Sequence, residues 1–413
     1  MAELYQFQSD AIHELLRGKH FIVAGCGAGK TAMALLWASV VRHQTQINNL
    51  VVVTTASKSK TGDFEQEIAE WCPSLKKSLS SFTVLSWHKL RAWVEAHRQE
   101  LGNYIYIFDE VQRAKAGVSS GMGRAFLSVT GKTKQWAGFT GTPGDTWLSF
   151  YPYFQACNLV KNKTGFLNKY ATIQTYKGYP EIVEWRDEDK LRAMWSEISY
   201  APDTTKVMSE LPEQTHKMFN FKRPPSYRKV LKTRYSEDGE FLDTSGALCA
   251  ELRRQCFTKD KQEWIRDFVD GLESGCVFFY NFTKTGDMLD EIIKKVLPDG
   301  SKVWRIDGKH HEIPTADTFG KKDMVLCQWQ SGSEALNLQF LHYWVAVELC
   351  YSYSTANQAR GRIRRIGQKH PQWYGYLLTD ETIEQDILYC LKNKSEFSER
   401  VWCASNNIEV KEE

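Results

Sequence analysis

HFIVAGCGAGKTAMALLWASVVR, residues 20–42, decides the fold. Its first five residues (20–24) are an apolar run that predicts a buried strand, and Ala32–Arg42, rich in Ala and Leu, predicts a helix. Between them, Ala24-Gly25-Cys26-Gly27-Ala28-Gly29-Lys30-Thr31 fits the P-loop pattern, with Ala in place of the first glycine. Glycines let the backbone curl so that several N–H groups face a phosphate. The N-terminus of the following helix adds a favourable dipole. Lys30 has the reach for the β- and γ-phosphates, and the Thr31 hydroxyl suits Mg²⁺. Gly25, Cys26, Gly27, Ala28 and Gly29 form the cradle. A bare strand-to-helix turn is the plain alternative, and GKT in this context argues against it.

Outward from this unit the same rhythm repeats. Leu50–Thr54, Phe82–Ser86, Tyr104–Phe108 and Ala137–Thr140 read as buried strands, and Asp63–Trp71 as a helix. Short apolar strands separated by helices predict a parallel α/β sheet covered on both faces. A second block begins near Lys261, with a helix over Gln262–Leu272 and strands at Val277–Asn281, Met324–Gln328 and Trp344–Val347. From 145 to 250 the pattern weakens among prolines 152, 180, 202, 212, 224 and 225, and this stretch reads as a connecting region with some helices. The charged tail, 406–413, reads as frayed.

A P-loop needs an acidic partner at the end of another strand. Asp109 and Glu110 follow the run YIYIF (104–108). Asp109 is placed to hold Mg²⁺ through water, and Glu110 to polarise the attacking water.

The bulk numbers set wider bounds. At 413 residues the chain has room for two domains, and 42% hydrophobic with 25% charged residues is a globular composition. A net charge of +3 neither supports nor excludes a nucleic-acid partner. The 10 cysteines show no CxxC pair or repeated spacing, which predicts reduced thiols rather than a disulfide framework or zinc site. The N-terminus lacks a basic segment followed by an apolar run, and no stretch approaches the roughly 18 apolar residues of a membrane span. The expectation is a soluble cytoplasmic protein, in a bacterial or infected-host cell, with no membrane association.

Asp109-Glu110-Val111-Gln112 resembles the DEAD/DEAH-type Walker B box of helicase superfamily 2. Gly138-Phe139-Thr140-Gly141-Thr142-Pro143 resembles the third motif of that family. Gln358–Gln368 (QARGRIRRIGQ) resembles the sixth, and its R-x-x-R-x-G-Q ending is like that of the Swi/Snf-type ATPases, DNA translocases that include chromatin remodellers and their bacterial and viral relatives. Phe7–Ile12 resembles the upstream segment in which a glutamine, here Gln8, reads adenine. Leu211–Thr215, Leu252–Cys256, Ile306–Gly308, Ser331–Leu338 and Glu381–Glu384 resemble further stretches of the subgroup, so the resemblance runs over about residues 5–400 by motif order. Gln112 replaces the usual His, Phe64 stands where the subgroup has Trp, and Glu334-Ala335-Leu336 is less glycine-rich than usual.

The resemblance implies an α/β protein of two tandem RecA-like domains, each a mostly parallel sheet with helices on both faces, and a nucleotide cleft between them. The expected division is 1–150 for the first lobe, 151–255 for the connecting region, 256–380 for the second lobe and 381–413 for a helical segment packing on the motor. ATP and Mg²⁺ are the implied cofactors. Arg362 and Arg365 are the implied arginine fingers, groups worth about 10³–10⁵ in turnover. Arg360 and Arg364 read as basic surface. Thr140 and Thr142, with Gln112, would report nucleotide state to the strand-binding surface, although Thr140 and Thr142 also read as turn hydroxyls bonding their own backbone. Ser57, Lys58, Ser86, Gly308, Lys309, Gln330 and Ser331 are the strand-contact candidates by motif position, and Trp87 reads as a core residue rather than a stacking platform. Lys284 and Lys309-His310-His311 would add to a basic groove, and the His pair lacks the ligand spacing of a zinc site. The implied activity is a double-stranded DNA translocase acting as a monomeric motor, of compact bacterial or phage type. A strand-separating DNA or RNA helicase and a catalytically inactive nucleic-acid scaffold are the alternatives.

Overall fold

The run that opens the P-loop forms β1 (Phe21–Val23). The neighbouring apolar runs form β2 (Asn49–Thr54), β3 (Ser81–Ser86), β4 (Ile105–Asp109) and β5 (Trp136–Thr140), each within one residue of its expected bounds at either end. The computed structural model describes residues 4–411 apart from 57, 61, 145, 177–178, 311 and 333–335. The chain divides into two compact units, Met1–Met208 and Ser209–Glu413.

In the first unit an antiparallel hairpin follows, of β6 (Ala171–Tyr176) and β7 (Tyr179–Trp185), and then the short β8 (Ser199–Tyr200). The sheet runs β3-β2-β4-β5-β1-β8 with every neighbouring pair parallel. Parallel strands put all their carboxyl ends on one rim, the place where open α/β sheets bind ligands. Ala24, Thr54, Ser86, Asp109 and Thr140 therefore come to the same edge from five strands.

The helix after the P-loop is Lys30–Thr45, longer at both ends than Ala32–Arg42. It buries Met33, Leu35, Trp37, Ala38 and Val41 among others, and Arg42 and His43 face the negative end of its dipole. Asp63–Trp71 is a helix with the expected bounds. Beneath the sheet an aromatic cluster supplies much of the core, with Phe126 edge-on to Phe108 at 5.0 Å and to Trp136 at 5.6 Å. Such contacts are worth about 0.5–1.5 kcal/mol each beyond area burial. The stretch of weak pattern belongs partly here: Phe154, Phe166, Tyr170, Leu191 and Ile198 are buried in this same core.

The second unit holds β9 (Gln214–Phe221), β10 (Cys276–Tyr280), β11 (Val303–Ile306), β12 (Met324–Gln328), β13 (Tyr343–Ala346) and β14 (Gln372–Thr379). Their order is β11-β12-β10-β13-β14-β9, again parallel throughout. Helices Lys259–Gly271 and Thr283–Lys294 contribute to the cluster on one face. The C-terminal helices Ile383–Lys392 and Glu399–Ser405 contribute Ile383, Ile387, Trp402 and Cys403 to the cluster on the other. Lys261 and Glu384 form a buried ion pair with Nζ–Oε distances of 3.0 and 2.8 Å, and the Thr379 backbone N–H donates to Glu384 Oε2 at 2.7 Å. Both units are RecA-like α/β layers, as the motif order implies.

All ten cysteines are free thiols. Among the described residues no helix is long and apolar enough to cross a membrane, and no group of three or more His, Cys, Asp or Glu is arranged to hold a metal.

Candidate nucleotide site

The P-loop leaves β1 at Ala24 and turns into the helix at Lys30. Gly27 (φ 80°) and Gly29 (φ 75°) adopt left-handed backbone that a side chain disfavours. At Gly29 there is no room either, since a Cβ would lie 2.4 Å from Gln8 Nε2. Gln8 is buried on the helix Gln6–Leu16; its Nε2 donates to Ala28 O at 3.1 Å and its Oε1 accepts from the Tyr5 backbone N–H at 3.0 Å. The adenine-segment glutamine is thus bonded directly to the phosphate loop. Lys30 Nζ donates to Ala24 O and Gly25 O, both at 3.0 Å, and so ties its ammonium to the start of the loop.

Asp109 ends β4 on the same rim. Its Oδ2 accepts from Thr54 Oγ1 at 2.7 Å and from Lys58 Nζ at 3.2 Å. Lys58 Nζ also donates to Thr31 Oγ1 at 3.0 Å and lies 4.5 Å from the centre of the Phe64 ring. Burial alone would push the Asp109 carboxyl up, but the Lys58 ammonium, the Thr54 hydroxyl and Lys30 hold it below the usual carboxylate range. The residues expected to hold Mg²⁺, Thr31 and Asp109, are therefore bridged by a cation. A hydroxyl and an ionised carboxylate around one positive centre are the oxygen donors a hard divalent ion takes, so the pair fits Mg²⁺.

Glu110 has φ 51° and ψ 50°, left-handed backbone at a non-glycine residue. Its Oε2 accepts from Gln112 Nε2 at 2.6 Å. Gln112 Oε1 in turn accepts from Thr140 Oγ1 at 2.7 Å, and Thr140 Oγ1 accepts from the Thr142 backbone N–H at 3.0 Å. A continuous chain of hydrogen bonds runs from the Walker B carboxylate to the third motif. Thr140 is a turn hydroxyl, bonding the backbone two residues on, and is also bonded to Gln112. Gln112 suits its place because an amide donates at one end and accepts at the other.

In the second unit, Arg362 and Arg365 follow the helix Tyr353–Arg360. Arg362 Nη1 and Arg365 Nη2 both donate to Leu336 O, at 3.4 and 2.7 Å, which links the sixth motif to the end of the fifth. Gln368 anchors the same turn: its Nε2 donates to Gln339 O, Leu341 O and Ile363 O, and its Oε1 accepts from the N–H groups of Lys369 and His370. Arg364 is a structural tie rather than free basic surface, because its Nη1 donates to Pro212 O at 3.2 Å, just ahead of β9.

The strand-contact candidates have varied settings. Ser57 lies outside the described residues, as do His311 and residues 333–335 of the fifth motif. Lys58 is engaged with Thr31 and Asp109 as above. Ser86 is buried at the end of β3. Trp87 is core, and its Nε1 donates to Asp109 O at 2.8 Å, bracing β4 from behind. Gln330 is exposed and Ser331 half-buried on the short turn Trp329–Gly332.

Gly308 and Lys309 are exposed on a turn held by Asp307. Its Oδ1 accepts from the N–H groups of Lys309 (2.8 Å) and His310 (2.9 Å), and its Oδ2 from Arg305 Nη2 (2.9 Å) and Tyr280 OH (3.2 Å). Burial opposes the charge on Asp307, yet these hydrogen bonds and Arg305 hold its carboxyl well below the usual range. Nothing in the sequence marks Thr54, or Lys58 as a partner of the metal pair, whereas Ile306-Asp307-Gly308 resembles a family turn, and it is the bonds to the Asp307 carboxylate that only the structure supplies.

No protein-family model matches the chain. It is 23% identical over 438 residues to the DNA annealing helicase and endonuclease ZRANB3 of Bos taurus, an alignment covering 96% of this chain and 40% of that protein. It is 32% identical over 111 residues to the SWI/SNF-related matrix-associated actin-dependent regulator of chromatin subfamily A-like protein 1 of Drosophila melanogaster, over 25% of this chain and 15% of that one. Among solved structures, the SWI2/SNF2 ATPase core of Sulfolobus solfataricus in complex with dsDNA aligns with a TM-score of 0.44 at 16% identity, covering 95% of this chain and 91% of that one. The chain spans about 40% of the length of the ZRANB3 relatives it matches. These relatives carry the names of a helicase and of a SWI/SNF-related regulator of chromatin, and the ordered motifs of this chain resemble those of Swi/Snf-type ATPases of helicase superfamily 2.

Proposed function

We propose that this chain hydrolyses ATP to ADP and phosphate and uses the cycle to move along nucleic acid, with double-stranded DNA as its track. The observation that carries the reading is the convergence of Lys30, Thr31, Asp109 and Glu110 on one rim, with Lys58 bridging Thr31 and Asp109 and a line of hydrogen bonds running from Glu110 through Gln112 to Thr140 and Thr142. Gln8 and the backbone of Gly25, Cys26, Gly27, Ala28 and Gly29 bind the nucleotide. Thr31 and Asp109 would hold Mg²⁺, which would supply charge neutralisation at the phosphates. Glu110 orients and deprotonates the attacking water. Arg362 and Arg365 stabilise charge on the transferred phosphoryl group, for which a planar, permanently charged fork is suited.

Gly308, Lys309, Gln330 and Ser331, with the loop carrying Ser57 and Lys58, contact the strand through phosphates, which makes recognition largely independent of base sequence. Ser86, buried where β3 passes directly into the helix Trp87–Ala96, is left out of this set. The names of the relatives, a helicase and a chromatin regulator, support a DNA substrate. The hydrogen-bonded relay favours an active motor over an inert scaffold, because a scaffold has no use for a polar line from carboxylate to third motif.

The test is steady-state ATP hydrolysis with no nucleic acid, duplex DNA, single-stranded DNA or RNA, with Lys30→Ala as control. Stimulation by duplex DNA above single strands is the expected result. Stimulation by single strands or RNA alone would replace the translocase with a strand-separating helicase, and no hydrolysis under any condition would leave the scaffold.

A further inference from the structure

Lys58 sits in the loop after β2, at a motif position expected to touch nucleic acid, yet its ammonium points into the nucleotide site. It is bonded to Thr31 Oγ1 (3.0 Å) and Asp109 Oδ2 (3.2 Å), and the face of Phe64 lies 4.5 Å away. The surroundings are confined, with side-chain exposure of 17% at Lys58 and 8% at Asp109. Three groups that each favour a cation thus converge on one point: a hydroxyl oxygen, an ionised carboxylate and the negative face of an aromatic ring. Thr31 comes from the first turn of the helix Lys30–Thr45 and Asp109 from the end of β4, and the Lys58 stem reaches them from the loop after β2.

A divalent ion held by Thr31 and Asp109 would draw on the same two oxygens that now bond the Lys58 ammonium, and two cations sharing a poorly solvated site repel strongly. Lys58 and the metal are therefore alternatives. Without Lys58 or a metal, the buried Asp109 carboxylate would keep only the Thr54 hydroxyl and the more distant Lys30 charge, which is costly. Lys58 removes that cost and keeps the carboxylate ionised and aimed.

We propose that Lys58 is a built-in competitor for the divalent-cation position: ammonium and metal take turns between Thr31 and Asp109, and metal binding expels the Lys58 ammonium. The inference rests on the assignment of Thr31 and Asp109 as the metal residues under the proposed function. It adds that metal–nucleotide binding mobilises a lysine in a strand-contact loop, so charge released at the nucleotide becomes available to a phosphate backbone. Phe64 has a part in this, because its ring holds the ammonium without adding a competing hydrogen bond.

Two measurements on the full chain test the proposal. The first titrates Mn²⁺ alone by electron paramagnetic resonance into the unsubstituted protein and Lys58→Met, which keeps the apolar stem and drops the charge. If the cation-accessible form is about a tenth of the population, K58M binds Mn²⁺ about tenfold more tightly. The second follows acylation of Lys58 by mass spectrometry in the unsubstituted protein, with and without saturating Mn²⁺, in the presence and absence of ADP. It needs no variant to fold, and the expected result is a several-fold rise in Lys58 labelling with metal while lysines away from the site are unaffected. Labelling of Lys58 that metal does not change overturns the proposal, as does a folded K58M with equal or weaker Mn²⁺ affinity. A metal-sensitive Lys58 in a protein that hydrolyses no ATP would uphold the competitor and remove the motor; hydrolysis with a metal-insensitive Lys58 would do the reverse.

Discussion

Glu110 carries its carboxylate on a left-handed backbone, a conformation that costs a non-glycine residue about 1–3 kcal/mol and collects at functional sites. Gln112 holds that carboxylate at 2.6 Å. Glu110→Gln keeps the shape and removes the base, so hydrolysis should fall by about 10²–10⁴ with nucleotide affinity nearly unchanged; single-turnover rates beside fluorescent-nucleotide titration check both halves. Thr140→Val removes the donor to Gln112 and the acceptor for Thr142. Its expected signature is hydrolysis without nucleic acid close to the unsubstituted rate and loss of most of the stimulation by DNA, read in the same steady-state assay; a variant that keeps full stimulation would take the relay out of coupling. At this scale the P-loop was legible because its residues are adjacent in the chain and their spacing is the mechanism. The partners of Lys58 were not, since Thr31 and Asp109 lie 27 and 51 positions away and only the sheet brings them together.

Among elements, the helix Ile383–Lys392 is locked to the second unit by the buried Lys261–Glu384 pair. Removing one partner leaves a charge in an apolar setting, so Lys261→Met should cost about 3–5 kcal/mol, and Lys261→Met with Glu384→Leu should recover most of it. Urea denaturation of the two variants measures this, and equal losses would mean that the pair is not the tie. The turn after β11 depends in the same way on Asp307, whose carboxylate accepts from the N–H groups of Lys309 and His310. The five core strands of the first unit could be read from sequence because parallel strands buried on both faces are continuous apolar runs. β9 could not, since Gln-Thr-His-Lys-Met-Phe-Asn-Phe is a mixed edge strand, mostly exposed, that acquires its partner only beside β14. The hairpin of β6 and β7 lay hidden in the proline-rich stretch for a similar reason, each strand having only the other to pair with.

Across the whole molecule, each unit has its own sheet and its own core. A fragment of residues 1–208 should therefore unfold cooperatively by itself and bind nucleotide through Gln8 and the P-loop. It lacks Arg362 and Arg365, and its hydrolysis should be lower than that of the full chain by about 10³–10⁵. Calorimetry and turnover of the fragment check the two statements, and turnover matching the full chain would end the finger assignment. Sequence by itself determined the α/β class, the two alternating blocks, the glycine-rich turn after β1 and the acidic pair at the end of β4. Those signals are local: an apolar run, a glycine spacing, a pair of carboxylates at a strand end. Tertiary structure alone decided that the weak stretch divides between the two cores, that Arg364 is a tie, and that Lys58 stands between Thr31 and Asp109. Each of these depends on contacts between residues far apart in the chain, and such contacts exist only once strand order and register have set which side chains share an edge.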